Sequence, residues 1–307
     1  METLRVAVIG VGHLGQHHAR ILAAMPGVSL VGVVDIDSGR AAAVAAKYGT
    51  AAFATAAELP GRIDAVCVAT PTVSHVDVAL PWLQAGTAVL VEKPLAAGLT
   101  AADRLVAAAD ASGAVLATGH TERFNPAVTA AVPLVTSPRF IEIHRLGTFP
   151  ERSLDIDVVF DLMIHDLDIL LTMVGSEVAA VEAVGVNVLT PRVDIANARI
   201  RFESGCVANV TASRISRDRV RKARFFQRDA YVSIDYAAQE LEMYRLVTGE
   251  GGRPAIEGGR LDVAGDEPLR LELADFVGAA RARRRPVVSG RDGRAALALA
   301  TRVAELM

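Results

Sequence analysis

Five short apolar runs, separated by alanine-rich stretches, dominate the first 120 residues of the chain. They cover residues 4–9, 28–35, 63–70, 87–91 and 114–118. Runs that are apolar almost throughout, without alternation, are typical of parallel strands covered on both faces. The stretches between them have the composition of helices. This alternation predicts an α/β domain with a doubly wound parallel sheet over residues 1–120.

After residue 120 the pattern changes to strand-like stretches that follow one another across short turns. The exception is the stretch from Asp157 to Gly175, which is apolar almost all round and predicts a buried helix that ends at the glycine. Successive strands predict an α+β domain with an antiparallel sheet over residues 121–268. Within it, the Gly- and Pro-rich residues 249–268 predict a loop or a long turn. Residues 269–307 predict helices that close the fold.

The composition argues against several classes of protein. Hydrophobic residues make up 51%, charged residues 22%, and the net charge is −3, so the broadly basic surface of a nucleic-acid-binding protein is missing. No apolar run reaches the roughly 18 residues that span a bilayer, and the first residues lack the features of a signal peptide. Cys67 and Cys206 lie far apart and indicate no disulfide. We expect a soluble, cytoplasmic protein with neither a nucleic-acid nor a membrane partner.

A G-x-G-x-x-G motif follows the first predicted strand directly and opens a helix. In that context the glycines allow a tight turn and a close approach of the backbone to a pyrophosphate, whose charge the helix N-terminus attracts. The candidate cofactor residues of this loop are Gly10, Gly12, His13, Leu14 and Gly15.

Asp35 ends the second predicted strand, 20 residues after Gly15, where a carboxylate can bind the hydroxyl groups of a ribose. Together with Asp37 it would repel a 2′-phosphate, so NAD is favoured over NADP, although Arg40 lies close by. A glycine-rich turn and a helix-capping aspartate are the alternative interpretation of the whole segment.

Two further turns follow buried strands of the same predicted sheet, at Thr70-Pro71 and at Glu92-Lys93-Pro94. Ligands of such sheets bind outside the carboxyl ends of the strands, so both turns are candidates for the cofactor site. Lys93 can point into the cleft there, and Glu92 can compensate charge or hold the cofactor. The further cofactor candidates are Thr70, Pro71, His75 and Glu92. An exposed Glu-Lys turn and a helix-surface histidine are the alternatives.

Asp161, His165 and Asp168 are spaced i, i+4 and i+7 in the predicted buried helix, so they share one face. A polar stripe on such a helix must face a cleft or a buried partner. Acid–base catalysis, a structural network and a metal site remain alternatives. We predict catalysis and no metal, because the stretch contains neither a second histidine nor an HExxH pattern.

The chain resembles the Gfo/Idh/MocA family of sugar and polyol oxidoreductases over essentially its whole length. The motifs that carry this resemblance occur in the family's order: the glycine motif, Thr-Pro, Glu-Lys-Pro and Asp-x-x-x-His-x-x-Asp. The resemblance implies a Rossmann domain, an α+β domain with an open, mostly antiparallel sheet, NAD as cofactor, and a catalytic group of Lys93, Asp161 and His165. It also implies that the segment from Gly119 to Pro126 faces nicotinamide and substrate, with Arg123 and Asn125 as candidates. A helix N-cap is the alternative for Asn125.

The resemblance implies oxidation of a secondary hydroxyl group of a sugar. An imidazole, with an ordinary pKa of about 6.5, suits proton removal near neutral pH. We expect His165 to be the base, oriented by Asp161, and the ammonium of Lys93 to stabilise the developing alkoxide. The opposite assignment, with Lys93 as the base after burial lowers its pKa, stays open.

Three stretches, at 119–128, 144–153 and 161–171, are most similar to the subgroup that oxidises the 3-hydroxyl of UDP-N-acetylglucosamine. A diphosphate substrate needs cations. The candidates for substrate binding are Lys93, Asn125, Arg145, Arg152, Asp161, His165 and Arg214. Arg217, Arg219 and Arg221 would share one face if they lie in a strand; a solvated, charged edge is the alternative.

Two other functions compete with this hypothesis. One is an inositol or free-sugar dehydrogenase of the same family, and the other is a non-catalytic NAD-binding sensor. The resemblance also implies an interaction surface on the exposed sheet face of the second domain. We expect a homodimer or homotetramer that binds a small sugar or nucleotide sugar.

Overall fold

The computed structural model describes residues 3–149 and 156–307. The chain divides into two compact units. Unit 1 comprises Met1–Thr121 and Leu269–Leu297, and unit 2 comprises Glu122–Pro268 and Ala298–Met307. The residues after 268 are therefore shared between the two units.

Unit 1 is built on a six-stranded sheet in the order β3-β2-β1-β4-β5-β6, in which every neighbouring pair is parallel. Its strands are β1 (Leu4–Ile9), β2 (Val28–Val34), β3 (Ala52–Phe53), β4 (Ala65–Val68), β5 (Ala88–Glu92) and β6 (Leu116–Gly119). Its first helices are α1 (Gly15–Ala24), α2 (Ser38–Tyr48), α3 (His75–Gln84) and α4 (Leu99–Ser112). The predicted doubly wound parallel sheet is confirmed, with the added two-residue strand β3.

Unit 2 contains an eight-stranded sheet in the order β14-β13-β12-β11-β7-β10-β9-β8. Only β7 and β10 pair in parallel, so the predicted antiparallel character is confirmed. The elements in chain order are α5 (Pro126–Ala131), β7 (Phe140–Leu146), a π-helical turn (Val159–Met163), α6 (Ile164–Val174), β8 (Val178–Val186), β9 (Ile195–Phe202), β10 (Val207–Ser213), β11 (Val220–Phe226), β12 (Ala230–Asp235), β13 (Glu240–Thr248) and β14 (Pro254–Leu261).

Two helices complete the chain, α7 (Pro268–Ala282) and α8 (Gly290–Ala304). In unit 1, Phe276 of α7 and Leu22 of α1 belong to the same buried core as the strands β1, β4 and β5. In unit 2, α5 packs on β12 and β13, and the π-helical turn packs on β10. Along β9, exposed residues alternate with buried ones, so one face of the unit 2 sheet is exposed and the other faces the core. The exposed residues of this strand are Asn197, Arg199 and Arg201.

The predicted loop over residues 249–268 is wrong for residues 254–261, because β14 pairs with β13 across eight residue pairs from Leu241↔Leu261 to Thr248↔Pro254, whereas residues 262–267 form no helix or strand. A glycine makes this pairing possible. Gly258 has φ +142°, and a Cβ atom there would lie on the carbonyl oxygen of Met243. A glycine that is typical of a loop in the sequence thus allows a close approach of two strands.

Among the helices of the described residues, none combines the length and the apolarity that a transmembrane segment needs.

Candidate active site

The glycine loop between β1 and α1 packs closely against the backbone of the neighbouring turn. Gly10 adopts φ +85°, and a Cβ atom there would lie 2.7 Å from the carbonyl oxygen of Ala69. A Cβ atom on Gly15 would overlap the carbonyl oxygen of Gly10. By contrast, no atom lies within 4 Å of the position a Cβ would take on Gly12. The loop is therefore closed on its inner side and open at Gly12, which fits the approach of a pyrophosphate to the first turn of α1.

Gly15→Ala and Gly12→Ala separate these two roles. Since the added methyl group of Gly15→Ala meets backbone, we expect the free energy of unfolding to fall by about 1–3 kcal/mol, together with weaker dinucleotide binding. Gly12→Ala meets open space and should weaken dinucleotide binding without changing the free energy of unfolding. Urea denaturation and binding calorimetry measure the two quantities; equal destabilisation by both variants would contradict the assignment.

Asp35 is nearly buried where β2 ends, and its carboxylate holds the glycine loop in place. It accepts hydrogen bonds from the backbone N–H of Val11 at 2.9 Å and from that of Asp37 at 2.9 Å. Arg40 lies on its exposed side, 3.3 Å from Asp35 and 3.2 Å from Asp37. Two carboxylates therefore pair with the guanidinium of Arg40 near the predicted ribose position.

His75, a predicted cofactor residue, is buried at the start of α3, so the helix-surface alternative is wrong. Its Nδ1 lies 3.0 Å from the carbonyl oxygen of Pro94, and its Nε2 lies 2.9 Å from that of Thr70. Burial lowers the pKa of His75 and outweighs these two hydrogen bonds, which act to raise it. The ring therefore connects the turn after β4 to the turn after β5. Ser74 donates a hydrogen bond to the hydroxyl of Thr70 at 2.9 Å, whereas Pro71 is exposed.

Glu92 ends β5 with its side chain buried inside unit 1. Its Oε1 lies 2.8 Å from Nε2 of His18 on α1, and its Oε2 accepts from the backbone N–H of Lys93 at 3.3 Å. A Cβ atom at Gly119 would lie 2.8 Å from Oε2, so the glycine makes room for the carboxylate. The Lys93-Pro94 peptide bond is cis, and Lys93 itself is half-buried. The exposed Glu-Lys turn is therefore wrong for Glu92.

The carboxyl ends of the parallel strands thus bring together most of the predicted cofactor residues of unit 1. Direct contacts link the glycine loop to Ala69, Asp35 to Val11, and the two later turns to one histidine. Sequence reasoning missed His18. The only signal was a polar residue beside Ala19, Ile21 and Leu22 on the buried face of α1.

In unit 2, the predicted continuous helix over 157–175 begins instead with the π-helical turn, which contains Asp161, and continues as α6, whose second residue is His165. Both side chains are half-buried, whereas Asp168 is buried. A π turn contains one residue more than an α turn, so the i, i+4, i+7 stripe is not a single straight row. Among the described residues no group of three His, Cys, Asp or Glu side chains is arranged to hold a metal ion.

Arg145, predicted to bind substrate phosphate, is buried in unit 2 between two carboxylates. Its guanidinium donates to both oxygens of Asp166 at 2.8 Å and to Glu122 at 2.9 Å, and it lies 5.3 Å from the ring centroid of Tyr236. Burial disfavours its charge, but the two carboxylates outweigh that effect and hold the pKa of Arg145 well above its ordinary value. This placement anchors β7 to α6, one residue from His165, and argues against phosphate binding.

Arg123 and Asn125, the candidates between the domains in sequence, both make contacts within unit 2. Arg123 lies 3.2 Å from Asp168 and also donates to the hydroxyl of Thr172. Asn125 is buried and caps α5, accepting from the backbone N–H of Ala127 at 3.1 Å. Its amide donates to the carbonyl oxygen of Tyr236 at 2.9 Å. The N-cap alternative for Asn125 is therefore confirmed.

The other arginines predicted to bind the substrate phosphates are Arg214, Arg152 and the group from Arg217 to Arg221. Arg214 is buried and donates to Asp194 at 2.9 Å, which gives it a structural partner. Arg152 lies outside the described residues. Because β11 begins at Val220, Arg217 and Arg219 precede the strand and only Arg221 lies in it. Arg221 is exposed, and its strand partner is Arg145, so both project from the same face of the sheet.

Comparisons with known proteins bear on the fold of both units. The family model Gfo/Idh/MocA, described as an oxidoreductase family with an NAD-binding Rossmann fold, matches residues 4–120, and the model of its C-terminal domain matches residues 141–230. The chain is 31% identical over 233 residues to scyllo-inositol 2-dehydrogenase (NAD(+)) of Bacillus subtilis, which covers 69% of this chain and 68% of that protein.

A more extensive similarity covers nearly the whole chain. UDP-N-acetylglucosamine 3-dehydrogenase of Acidithiobacillus ferrooxidans is 41% identical over 307 residues, covering 99% of this chain and 97% of that protein. A solved structure with this name from the same organism has a TM-score of 0.93 at 40% identity, covering 100% of this chain and 98% of that one. The chain therefore belongs to the Gfo/Idh/MocA family of NAD-binding oxidoreductases.

Proposed function

We propose that this protein oxidises the 3-hydroxyl group of UDP-N-acetylglucosamine to the 3-keto sugar with NAD⁺. The observation that carries the proposal is the 41% identity to UDP-N-acetylglucosamine 3-dehydrogenase over 99% of the chain. The relative that acts on an inositol is 31% identical over 69% of the chain, which makes an inositol dehydrogenase the second candidate.

The residues of unit 1 fit the cofactor. The loop is open at Gly12, and the N-terminus of α1 offers N–H groups to a pyrophosphate. Asp35 would bind the adenosine ribose, and the paired carboxylates of Asp35 and Asp37 favour NAD⁺ over its 2′-phosphorylated form. A bound NAD⁺ would supply the acceptor for the hydride of the carbinol carbon.

The side chains supply the proton chemistry. In this proposal an imidazole nitrogen of His165 takes the hydroxyl proton, and Asp161 orients the ring. The ammonium of Lys93 donates to the same oxygen and stabilises the negative charge that develops on it. Lys93 belongs to unit 1, whereas Asp161 and His165 belong to unit 2.

Arg221 is our candidate for the diphosphate of the substrate, since Arg145 and Arg214 are occupied by carboxylates. Arg221→Ala is expected to raise KM for the nucleotide sugar about 10- to 100-fold, the value of one charge-assisted hydrogen bond, with kcat nearly unchanged. Arg224→Ala is the matched control, because Arg224 lies on the opposite face of the same strand. An equal rise of KM in both variants would contradict the assignment.

The reaction is tested by NADH formation with UDP-N-acetylglucosamine, N-acetylglucosamine, scyllo-inositol and myo-inositol as separate substrates. The proposal expects turnover with the nucleotide sugar and a 3-keto product by mass spectrometry. Turnover with an inositol alone would replace it by the second candidate. Tight NAD⁺ binding without turnover of any substrate would indicate the non-catalytic sensor.

We also propose that the protein self-associates through the open face of the unit 2 sheet. A row of aromatic rings crosses four strands of that face. The distance between ring centroids is 5.7 Å for Phe140 and Phe226, 5.2 Å for Phe226 and Tyr231, and 6.2 Å for Tyr231 and Tyr244. Analytical ultracentrifugation should give a dimer or tetramer, and Tyr231→Glu should shift it toward the monomer. A monomer at every concentration would contradict this proposal.

A further inference from the structure

Two buried histidines of unit 1 have no part in the proposed chemistry, yet they contact the residues on either side of Lys93. His18, on α1, is fully buried and contacts Glu92. His75, at the start of α3, is 1% exposed and contacts the carbonyl oxygen of Pro94. A buried polar side chain loses its hydrogen bonds to water and must replace them with hydrogen bonds inside the protein. These contacts therefore restrain both partners.

His18 uses only one edge of its ring. Its Nε2 lies 2.8 Å from Oε1 of Glu92, while its buried Nδ1 has no hydrogen-bond partner among the described residues. The other oxygen of Glu92 accepts from the backbone N–H of Lys93 at 3.3 Å. A chain of contacts thus runs from α1 through the carboxylate to the peptide that carries the lysine.

His75 uses both edges. Nδ1 faces the carbonyl oxygen of Pro94 at 3.0 Å, and Nε2 faces that of Thr70 at 2.9 Å. A neutral imidazole has a single N–H and donates to one of these oxygens at a time. The contact at Nδ1 acts on the residue directly after Lys93, and the contact at Nε2 acts on the turn after β4.

We propose that His18 and His75 are positioning residues that hold the Glu92-Lys93-Pro94 turn from both sides and thereby set the direction of the Lys93 ammonium. The proposal rests on the role of Lys93 in the proposed function. It also means that α1, which begins at the glycine loop, fixes the cofactor loop and the lysine together. A misplacement of about 1 Å at a reacting group lowers the rate by as much as 100-fold, so small shifts of this turn matter.

The atoms used by each ring define matched variants. The amide nitrogen of glutamine reproduces Nε2 of histidine, and that of asparagine reproduces Nδ1. His18→Gln should therefore keep most of kcat, whereas His18→Asn and His18→Leu should lower kcat about 10- to 100-fold. For His75 the order reverses: His75→Asn keeps the Pro94 contact and most of kcat, and His75→Gln does not. The Kd for NAD⁺ should stay unchanged in His18→Gln and His18→Asn, as measured by calorimetry below the unfolding transition.

Lysine labelling provides a readout that does not depend on turnover. The chain has three lysines, Lys47, Lys93 and Lys222. Reductive methylation followed by mass spectrometry should show faster labelling of Lys93 in His18→Asn and His75→Gln than in His18→Gln and His75→Asn. Lys47 and Lys222 serve as internal references. Equal labelling and equal kcat within each pair would overturn the proposal, even if the leucine variant fails to fold.

A double-mutant cycle distinguishes this proposal from the proposed function. If the histidines act through Lys93, then His18→Asn should have no further effect on kcat in a Lys93→Met background. If Lys93→Met alone leaves kcat unchanged, the proposed function fails. If Lys93→Met lowers kcat and His18→Asn lowers it by the same factor with and without the lysine, only the positioning role fails.

Discussion

Lys93→Met should lower kcat about 100- to 1,000-fold while the Kd for NAD⁺ stays unchanged. Methionine keeps the length and apolar stem of lysine but removes the charge that stabilises the developing alkoxide, and loss of one such donor has this magnitude in other active sites. The backbone contact of Lys93 with Glu92 does not involve the ammonium and is retained. Steady-state NADH formation and calorimetry with NAD⁺ give the two values.

The control for this variant is Lys47→Met, which removes an exposed lysine of α2 in the same unit. It should leave kcat unchanged. Lys93→Arg retains a cation with a different donor geometry and should recover part of the rate. Full turnover of Lys93→Met would exclude the lysine from the chemistry.

His165→Asn should lower kcat about 100- to 10,000-fold near neutral pH, the range that positioned acid–base groups contribute. The loss should shrink as pH rises, because hydroxide can then take the proton that the imidazole removes. Asp161→Asn should cause a smaller loss, since Asp161 only orients the ring. The dependence of kcat/KM on pH measures both effects.

His144→Asn is the matched control, because His144 lies on the open face of β7 in the same unit. It should change neither the rate nor its pH dependence. If His165→Asn keeps the wild-type pH dependence while Lys93→Met abolishes it, the base is Lys93 and the two roles are exchanged.

The parallel sheet could be predicted because its strands are buried on both faces and leave continuous apolar runs. β3 was not predicted because a strand of two residues shows no hydrophobic periodicity. It is recognised as a strand only by its pairing with β2. β14 escaped because Gly258 and Gly259 look like loop residues until the partner strand is known. In each case the missing information is the neighbouring strand.

The candidate residues at the sheet edge could be predicted from motifs, but their partners could not. A sequence shows that Arg145 and Arg214 are cations without showing that Asp166 and Asp194 neutralise them inside unit 2. Likewise His18 looks like any helical histidine until α1 packs on the parallel sheet and brings it to Glu92. Which carboxylate pairs with which cation is decided by the packing of elements that are distant in sequence. The charge of a residue alone is therefore a poor predictor of whether it binds a ligand.

The π-helical turn from Val159 to Met163 sets the angle about the helix axis between the side chain of Asp161 and the side chains of α6. Deleting one residue there would restore ordinary α-helical winding and rotate the preceding segment by about 100° about the axis relative to α6. Designs that transplant this pair of side chains onto a regular helix must therefore re-choose the offset between them. Copying the interval of four residues would leave the carboxylate and the imidazole pointing in a different relative direction.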